Sequence, residues 1–218
     1  MTAQTGTTPN IEAPPLSRGE ARKRAMMDAA WESVMEKGLA ATTLDDIITR
    51  SGGSKATLYN AFGDKDGLLK AVLWEKINEF AAELTLTLNT EQPPDKTLYQ
   101  FADTMAMKIC DPEAIRFIYL LMTEGHQFPT LLQSFEDEAT CQTDEMLSHY
   151  IATAATAGKL LADDPHQSAE FLMSMIKGHW MEPLFAHALS GDRLADYQDN
   201  VRRRARAAVD LFLRAHRP

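Results

Sequence analysis

The chain has 218 residues, of which 44% are hydrophobic and 24% charged, and its formal net charge is −9. This length predicts one or two domains with a substantial core. No apolar run approaches the roughly 20 residues that a bilayer-spanning helix needs, so we expect no membrane partner. Residues 1–16 are rich in Thr and Pro and lack both a positive start and an apolar segment. We therefore expect a disordered tail, not a secretory signal, on a cytoplasmic protein.

The negative charge is concentrated in the second part of the chain. Residues 1–75 carry nine basic and ten acidic side chains, whereas residues 76–218 carry thirteen and twenty-one. Four basic residues also cluster near the start, namely Arg18, Arg22, Lys23 and Arg24. A local basic face is sufficient for phosphate contact, and global charge mainly tunes solubility and nonspecific binding. The net charge therefore does not exclude a nucleic-acid partner.

The N-terminal part has the pattern of several short helices. Apolar residues at four-residue spacing predict a first helix over 17–37. Thr43 and Ser54 are suited to cap two short helices, because their hydroxyls accept hydrogen bonds from unsatisfied backbone amides. The glycines at 52–53 permit a tight turn between these helices. Asp64 then caps a long helix that we expect to reach about residue 89.

The rest of the chain is also helical in pattern, with few strand signals. Helices are predicted over 95–109, 112–124, 129–157, 165–189 and 193–216. Two of them begin with an Asp-Pro pair, which combines an N-cap with proline at the first helical position. We expect Pro183 to kink the penultimate helix. The sequence thus predicts an all-α fold.

The second short helix has two different faces. Leu58 and Phe62, spaced i, i+4, are suited to a small core, whereas small and polar side chains cover the other side. A helix that packs on a core and also enters a DNA major groove needs this division. The residues predicted to contact DNA are Arg22, Thr43, Ser54, Lys55, Ala56, Thr57, Tyr59, Asn60 and Lys65.

These predicted contacts have chemical reasons. Lys55 can donate to guanine O6 or N7, and Asn60 can pair with adenine. Tyr59 can donate its hydroxyl to a phosphate, and the helix after Thr43 offers free backbone N–H groups to another. Lys65, in the first turn of the long helix, is a further candidate for phosphate contact. The alternative is that these are only solvated polar residues on a three-helix bundle.

Residue type and spacing agree with one known family at many positions. They agree at Met26, Ala29, Ala30, Gly38, Thr43, Leu44, Ile47, Gly52, Ser54, Thr57, Leu58, Tyr59, Phe62, Lys65 and Leu68. This segment resembles the DNA-binding domain of the TetR family of transcriptional regulators. A second set comprises Glu124, His126, Phe128, Pro129, Gly158, Leu160, Asp164 and Pro165, and it is similar to the AefR-like subgroup. Gly53 departs from the usual apolar residue, so we expect a looser turn, with Ile48 filling the space.

The resemblance implies a fold, partners and a function. The fold is an N-terminal three-helix helix-turn-helix DNA-binding domain at 17–63, followed by a larger helical ligand-binding and dimerisation domain at 64–218. The partners are a second copy of the chain, a palindromic double-stranded DNA operator and a small hydrophobic or amphipathic effector. The function is repression that the effector relieves. No catalytic residue and no cofactor are expected.

The C-terminal part is rich in Met and aromatic residues, which form either ordinary core or an adaptable ligand pocket. The candidates for a pocket are Phe101, Met105, Phe117, Met122, His126, Met146, Tyr150, Met175 and His179. The two histidines are candidates for polar specificity. Because no histidine or cysteine cluster has zinc-ligand spacing, we expect no metal.

The last two predicted helices each carry an apolar stripe. The candidates for a dimer interface are Phe171, Met175, Trp180, Val201, Ala205, Ala208 and Phe212. The alternative is that both stripes pack only within the monomer.

Other classes of function are weighed against the regulator. No nucleophile elbow, metal motif or glycine-rich phosphate loop supports an enzyme. Two alternatives stay open, a transcriptional activator of the same fold and a helical interaction module that does not bind DNA. Cys110 and Cys141 lack CxxC spacing, so we expect free thiols, with redox sensing as a further hypothesis.

Overall fold

The computed structural model describes residues 17–178 and 181–218. The predicted tail at 1–16 and two predicted site residues, His179 and Trp180, lie outside this part of the chain. All regular elements in the described residues are helical, which confirms the predicted fold class. The first four helices are α1 (Arg18–Lys37), α2 (Leu44–Ser51), α3 (Lys55–Phe62) and α4 (Lys65–Thr85). The others are α5 (Pro94–Ile109), α6 (Pro112–Glu124), α7 (Pro129–Phe135), α8 (Cys141–Thr156), α9 (Pro165–Lys177), α10 (Glu182–Ala186) and α11 (Asp192–Ala215).

Predicted N-caps start the N-terminal helices. The Thr43 hydroxyl accepts from the Asp46 amide at 3.2 Å, and the Asp46 carboxylate accepts from the Thr43 amide at 3.1 Å. Ser54 caps α3 by accepting from the Thr57 amide at 3.2 Å. Asp64 caps α4 in the same way. These bonds satisfy amides that the first helical turn leaves without partners, so local sequence alone fixes where the helices begin.

The predicted helix ends are less accurate. The predicted helix to residue 89 ends at Thr85, where the Thr87 hydroxyl donates to the Leu84 carbonyl at 2.6 Å. The predicted helix over 129–157 is interrupted by a π-helical segment, Glu136–Thr140. The predicted helix over 165–189 breaks at Gly178, which has a φ of 75° that favours glycine. The expected kink at Pro183 is therefore wrong, since that residue lies in the first turn of the separate helix α10.

A first hydrophobic cluster packs α1, α2 and α3 against one another and against the start of α4. We call it the DNA-binding core, and it consists of Met26, Ala29, Ala30, Ile47, Leu58, Leu68 and Val72. A second cluster, the joint core, consists of Val34, Leu39, Leu69, Leu73, Ile77, Phe117, Leu120, Leu121 and Leu131. Because the joint core combines α1 and α4 with α6 and α7, the N-terminal helices pack directly on the C-terminal ones.

A third and larger cluster, the C-terminal core, is formed mainly by α5, α8, α9 and α11. Helix α4 also reaches this cluster through Leu84, so it contributes side chains to all three cores. In the part of the chain that is described, no helix combines the length and apolar character needed to cross a membrane.

Candidate nucleic-acid interface

The turn between α2 and α3 is tight. Gly52 adopts a left-handed conformation with a φ of 69° at the end of α2. A Cβ on the adjacent Gly53 would overlap the methyl group of Met26, which is itself fully buried. The expected looser turn is therefore wrong, because Met26 on α1 occupies the space beside the glycine. Ile48 is only partly buried at the edge of the same core.

Helix α3 is anchored by one fully buried side chain and presents a polar row on its opposite side. Leu58 is 0% exposed, and it is the buried residue of this helix. Lys55, Ala56, Tyr59 and Asn60 are all exposed, with Tyr59 at 50%. The spacing i, i+1, i+4, i+5 places these four side chains on one face. A helix that presents these four side chains on one face can enter a major groove.

Two other predicted α3 contacts belong to the cap of the helix. The Thr57 hydroxyl lies 2.9 Å from the Ser54 hydroxyl, and Thr57 is only partly exposed. Both side chains are therefore already engaged with each other and with the first turn. Their primary task in the described structure is to start α3 at the correct residue.

The N-terminus of α2 is partly occupied from within the chain. The capping pair described above takes up the amides of Thr43 and Asp46, which leaves those of Leu44 and Asp45 for a phosphate. Lys37 donates to the Asp46 carboxylate at 2.5 Å. Hydrogen bonds from Lys37 and then Thr43 lower the pKa of Asp46 to about 2, so this carboxylate stays ionised in the cap.

Basic side chains near the helix-turn-helix differ in their availability. Arg22 is exposed, and it forms no ion pair within the described residues. The same holds for its neighbours Arg18 and Lys23. Arg24 is paired with acidic groups of α1 and α4. Arg50 is held by two glutamates of α1. The available positive charge therefore lies on the first two turns of α1, where the sequence places Arg22.

Lys65 does not lie on this surface as predicted. Its ammonium donates to the Leu39 carbonyl at 2.9 Å and lies 5.1 Å from the centre of the Phe128 ring. Burial lowers its pKa. Lys65 is therefore a structural link between α4, the loop after α1 and the segment after α6, and the predicted phosphate contact is not supported.

Sequence reasoning missed several residues of α6 that contact the DNA-binding helices. The Glu124 carboxylate accepts from the Ala40 amide at 2.8 Å. The Arg116 guanidinium donates to the Met35 carbonyl near the end of α1. Phe117 packs on Trp31 with ring centres 5.1 Å apart. Glu124 is one of the residues that resemble the AefR-like subgroup, but nothing in the neighbouring sequence indicates that its partner is the Ala40 amide.

The described candidates for a ligand pocket lie in different parts of the structure. Phe101, Met105 and Tyr150 are buried in the C-terminal core, with Met146 and Met175 at its edge. Phe117 belongs instead to the joint core. Met122 is partly exposed and His126 is exposed. Residue type identified apolar side chains correctly but could not assign them to separate cores.

The predicted dimer stripe on α11 is also wrong. Val201, Ala205, Ala208 and Phe212 are all buried inside the C-terminal core of a single chain. The monomer-packing alternative therefore holds for this stripe. Phe171 on α9, by contrast, is 60% exposed, and Leu211 on the outer side of α11 is 54% exposed.

Both cysteines are free thiols, as expected. Burial raises the pKa of Cys110 to about 11, and a protonated thiol is a poor redox sensor. Cys141 is exposed at the start of α8.

Sequence comparisons relate the chain to transcriptional regulators. The family model for bacterial regulatory proteins of the tetR family matches residues 26–72. The model for the AefR-like transcriptional repressor C-terminal domain matches residues 96–218. YvkB of Bacillus subtilis (strain 168), an uncharacterised HTH-type transcriptional regulator, is 24% identical over 174 residues, covering 78% of this chain and 85% of YvkB. The HTH-type regulator BetI of Burkholderia mallei (strain NCTC 10229) is 36% identical over 72 residues, which span 33% of this chain and only 37% of BetI.

Solved structures share the whole fold. A TetR-family regulator from Mesorhizobium loti MAFF303099 superposes with a TM-score of 0.81 at 21% identity, covering 93% of this chain and 100% of the other. The flavonoid-responsive regulator FrrA gives 0.69 at 24% identity, covering 90% and 97%. The SmeT–triclosan complex gives 0.64 at 20% identity, covering 91% and 92%. With one family model matching the helix-turn-helix and another matching more than half of the sequence, the chain belongs to the TetR family of transcriptional regulators.

Proposed function

We propose that this DNA-binding regulator is a homodimeric repressor, and that a small hydrophobic or amphipathic effector releases it from a palindromic operator. The observation that carries the DNA-reading part is the exposed row of Lys55, Ala56, Tyr59 and Asn60 on α3. Its polar groups match the donors and acceptors of base edges and phosphates, and Leu58 fixes the helix from behind. Arg22, which is exposed near the start of α1, supplies a positive charge for the phosphate backbone.

The dimer is the second part of the proposal. The outer sides of α9 and α11 carry exposed Phe171 and Leu211, and large exposed apolar side chains on neighbouring helices favour association. A two-fold axis through this face presents two copies of α3 to successive major grooves, roughly 34 Å apart. This geometry requires an operator with two half-sites related by the same symmetry.

The third part concerns communication between effector and DNA. Helix α6 contacts α1 and the loop after it through Arg116, Phe117 and Glu124. Helix α4 joins all three cores. In the proposed dimer, one distance between the two copies of α3 fits the operator and another does not. An effector that binds more tightly to the second arrangement raises its population. Operator affinity then falls by the difference between the effector's binding free energies to the two arrangements.

Two similar structures guide the choice of first compounds. FrrA is described as flavonoid-responsive, and SmeT was solved with triclosan. We propose ligands of comparable hydrophobic character for this chain, since methionine-rich cores can repack around different apolar shapes. Loss of DNA binding on addition of such a compound supports release. A compound that saturates the protein without changing operator affinity contradicts release by that compound.

The direct experiment is a binding titration on duplexes selected from random DNA by the unmodified protein. We expect preference for the selected duplex over scrambled DNA, weakening as salt rises. A helical interaction module that does not bind DNA predicts no preference at any salt concentration. Reporter expression from the selected site then distinguishes repression from activation.

Glu124 tests the proposed communication through α6. Replacement by Ala leaves the Ala40 amide without its hydrogen-bond acceptor. We expect Glu124→Ala to change operator affinity less than threefold, comparable to a net contribution of about 0.5 kcal/mol from one hydrogen bond. We also expect it to weaken the effect of a releasing compound. An unchanged response to that compound would remove Glu124 from the proposed route.

A further inference from the structure

An ion pair joins the two helices of the helix-turn-helix on its exposed side. The Asp45 carboxylate lies 2.8 Å from the Lys55 ammonium, and the two side chains are 74% and 61% exposed. Lys55 is the first residue of α3, and Asp45 is the second residue of α2. This hydrogen bond raises the pKa of Lys55, so its ammonium stays protonated. The pair therefore occupies the end of α3 from which recognition helices contact base edges.

The helix cap does not require the Asp45 side chain. Thr43 and Asp46 form the capping box of α2, and Lys37 binds the Asp46 carboxylate. Within the described residues, Lys55 is the cation that lies at ion-pair distance from Asp45. A carboxylate on a surface that approaches phosphates is repelled by DNA, so its presence beside a base-reading lysine calls for a reason.

We propose that Asp45 is a positioning residue that directs Lys55 to a base edge and withholds it from phosphates. An ammonium has three donors, and Asp45 engages one of them. The remaining two can serve guanine O6 and N7. Because the pair has no net charge, Lys55 then adds little to the sequence-independent attraction for the DNA backbone. This inference rests on the proposed DNA-reading function of α3.

Asp45 thus lowers binding to incorrect DNA more than it lowers binding to the operator. On scrambled DNA, a lysine released from Asp45 finds a phosphate at almost any sequence. On the operator, the same lysine already has its base partners and gains less from release. The pair therefore acts on the ratio of the two affinities, which is the quantity that defines specificity.

The test compares Asp45→Asn with the charge-matched control Asp66→Asn. Asp66 is also exposed and is also the second residue of its helix, and it forms no ion pair within the described residues. Affinities are measured for a duplex selected by the unmodified protein and for its scrambled counterpart, over a series of salt concentrations.

We expect Asp45→Asn to tighten binding to scrambled DNA about two- to fivefold, the size of one exposed ion pair. Its logarithmic salt dependence should steepen by about 0.9, the contribution of one additional phosphate contact. Affinity for the selected duplex should rise less, so that the specificity ratio falls. Asp66→Asn should shift both affinities by the same factor. Asp45→Glu, which retains the carboxylate, should keep the specificity ratio of the unmodified protein.

A variant of Lys55 provides a second test, and the contradicting outcomes follow from both variants. Lys55→Met should abolish a guanine preference at one position of each half-site when binding sites are selected anew. An equal shift of both affinities in Asp45→Asn, with an unchanged salt dependence, would overturn the role of Asp45, and so would an unchanged base preference in Lys55→Met. Failure of the unmodified protein to prefer any duplex is a different outcome, because it contradicts the proposed function itself. Thermal melting of each variant shows whether the fold is retained.

Discussion

Replacing Leu58 by Ala tests how the DNA-reading helix is held. Leu58 is 0% exposed and packs in the DNA-binding core behind the exposed face of α3. Removing a buried leucine side chain costs about 2–5 kcal/mol, through lost burial and the cavity that remains. An eight-residue helix has little stability of its own, so this loss detaches α3.

The consequence is selective loss of DNA binding. The C-terminal core does not include Leu58, so most of the helical content should persist in circular dichroism while operator affinity falls more than tenfold. Urea denaturation and DNA titration of the same samples measure the two effects. Leu86→Ala is the control, because that leucine is 84% exposed and its loss should change stability by no more than about 0.5 kcal/mol. A loss below about 1 kcal/mol in Leu58→Ala, with unchanged DNA affinity, would refute this view of the helix.

Three other substitutions give separate expectations. Tyr59→Phe should weaken operator binding about fivefold at matched salt, the effect of one lost hydrogen bond of about 1 kcal/mol, and unchanged affinity would remove the phosphate contact. Phe171→Arg should lower the dimer fraction in sedimentation experiments at micromolar concentration, since a charge on the exposed apolar face opposes association; an unchanged dimer would place the interface elsewhere. Asp46→Asn should flatten the pH dependence of stability in acid. The folded pKa of Asp46, about 2, lies below its ordinary value of 3.8, so its stabilisation is present above about pH 4 and is lost as the pH falls towards 2. Acid unfolding curves that are identical for the Asn variant and the unmodified protein would contradict this.

The start of each N-terminal helix could be predicted because its signal is local. The Thr43 and Ser54 hydroxyls accept hydrogen bonds from backbone amides of the first helical turn, as their positions in the sequence predict. Leu58 is buried, as its four-residue spacing from Phe62 predicts. The break at Gly178 was missed because its cause is distant. The backbone there packs against the guanidinium of Arg204, and a Cβ at this position would overlap that group.

The remaining errors also depend on tertiary contacts. A methionine-rich helix has the same pattern whether it enters the joint core or the C-terminal core, so the pocket residues could not be grouped from sequence. The stripe containing Val201 could equally face a partner chain or its own core, and the structure shows the second. Lysine is a residue type that often contacts phosphate, but the Lys65 ammonium donates its hydrogen bond to the Leu39 carbonyl. Such choices depend on which surface lies nearby after folding.

Methylation interference on a selected duplex tests the central claim most directly, since the claim is that the exposed face of α3 reads bases in the major groove. Guanine N7 lies in that groove, and a methyl group there blocks a donor from Lys55. We predict two groups of interfering guanines, symmetric about the centre of the duplex and one or more helical turns apart. Strong binding with no interference at any major-groove position would contradict the claim.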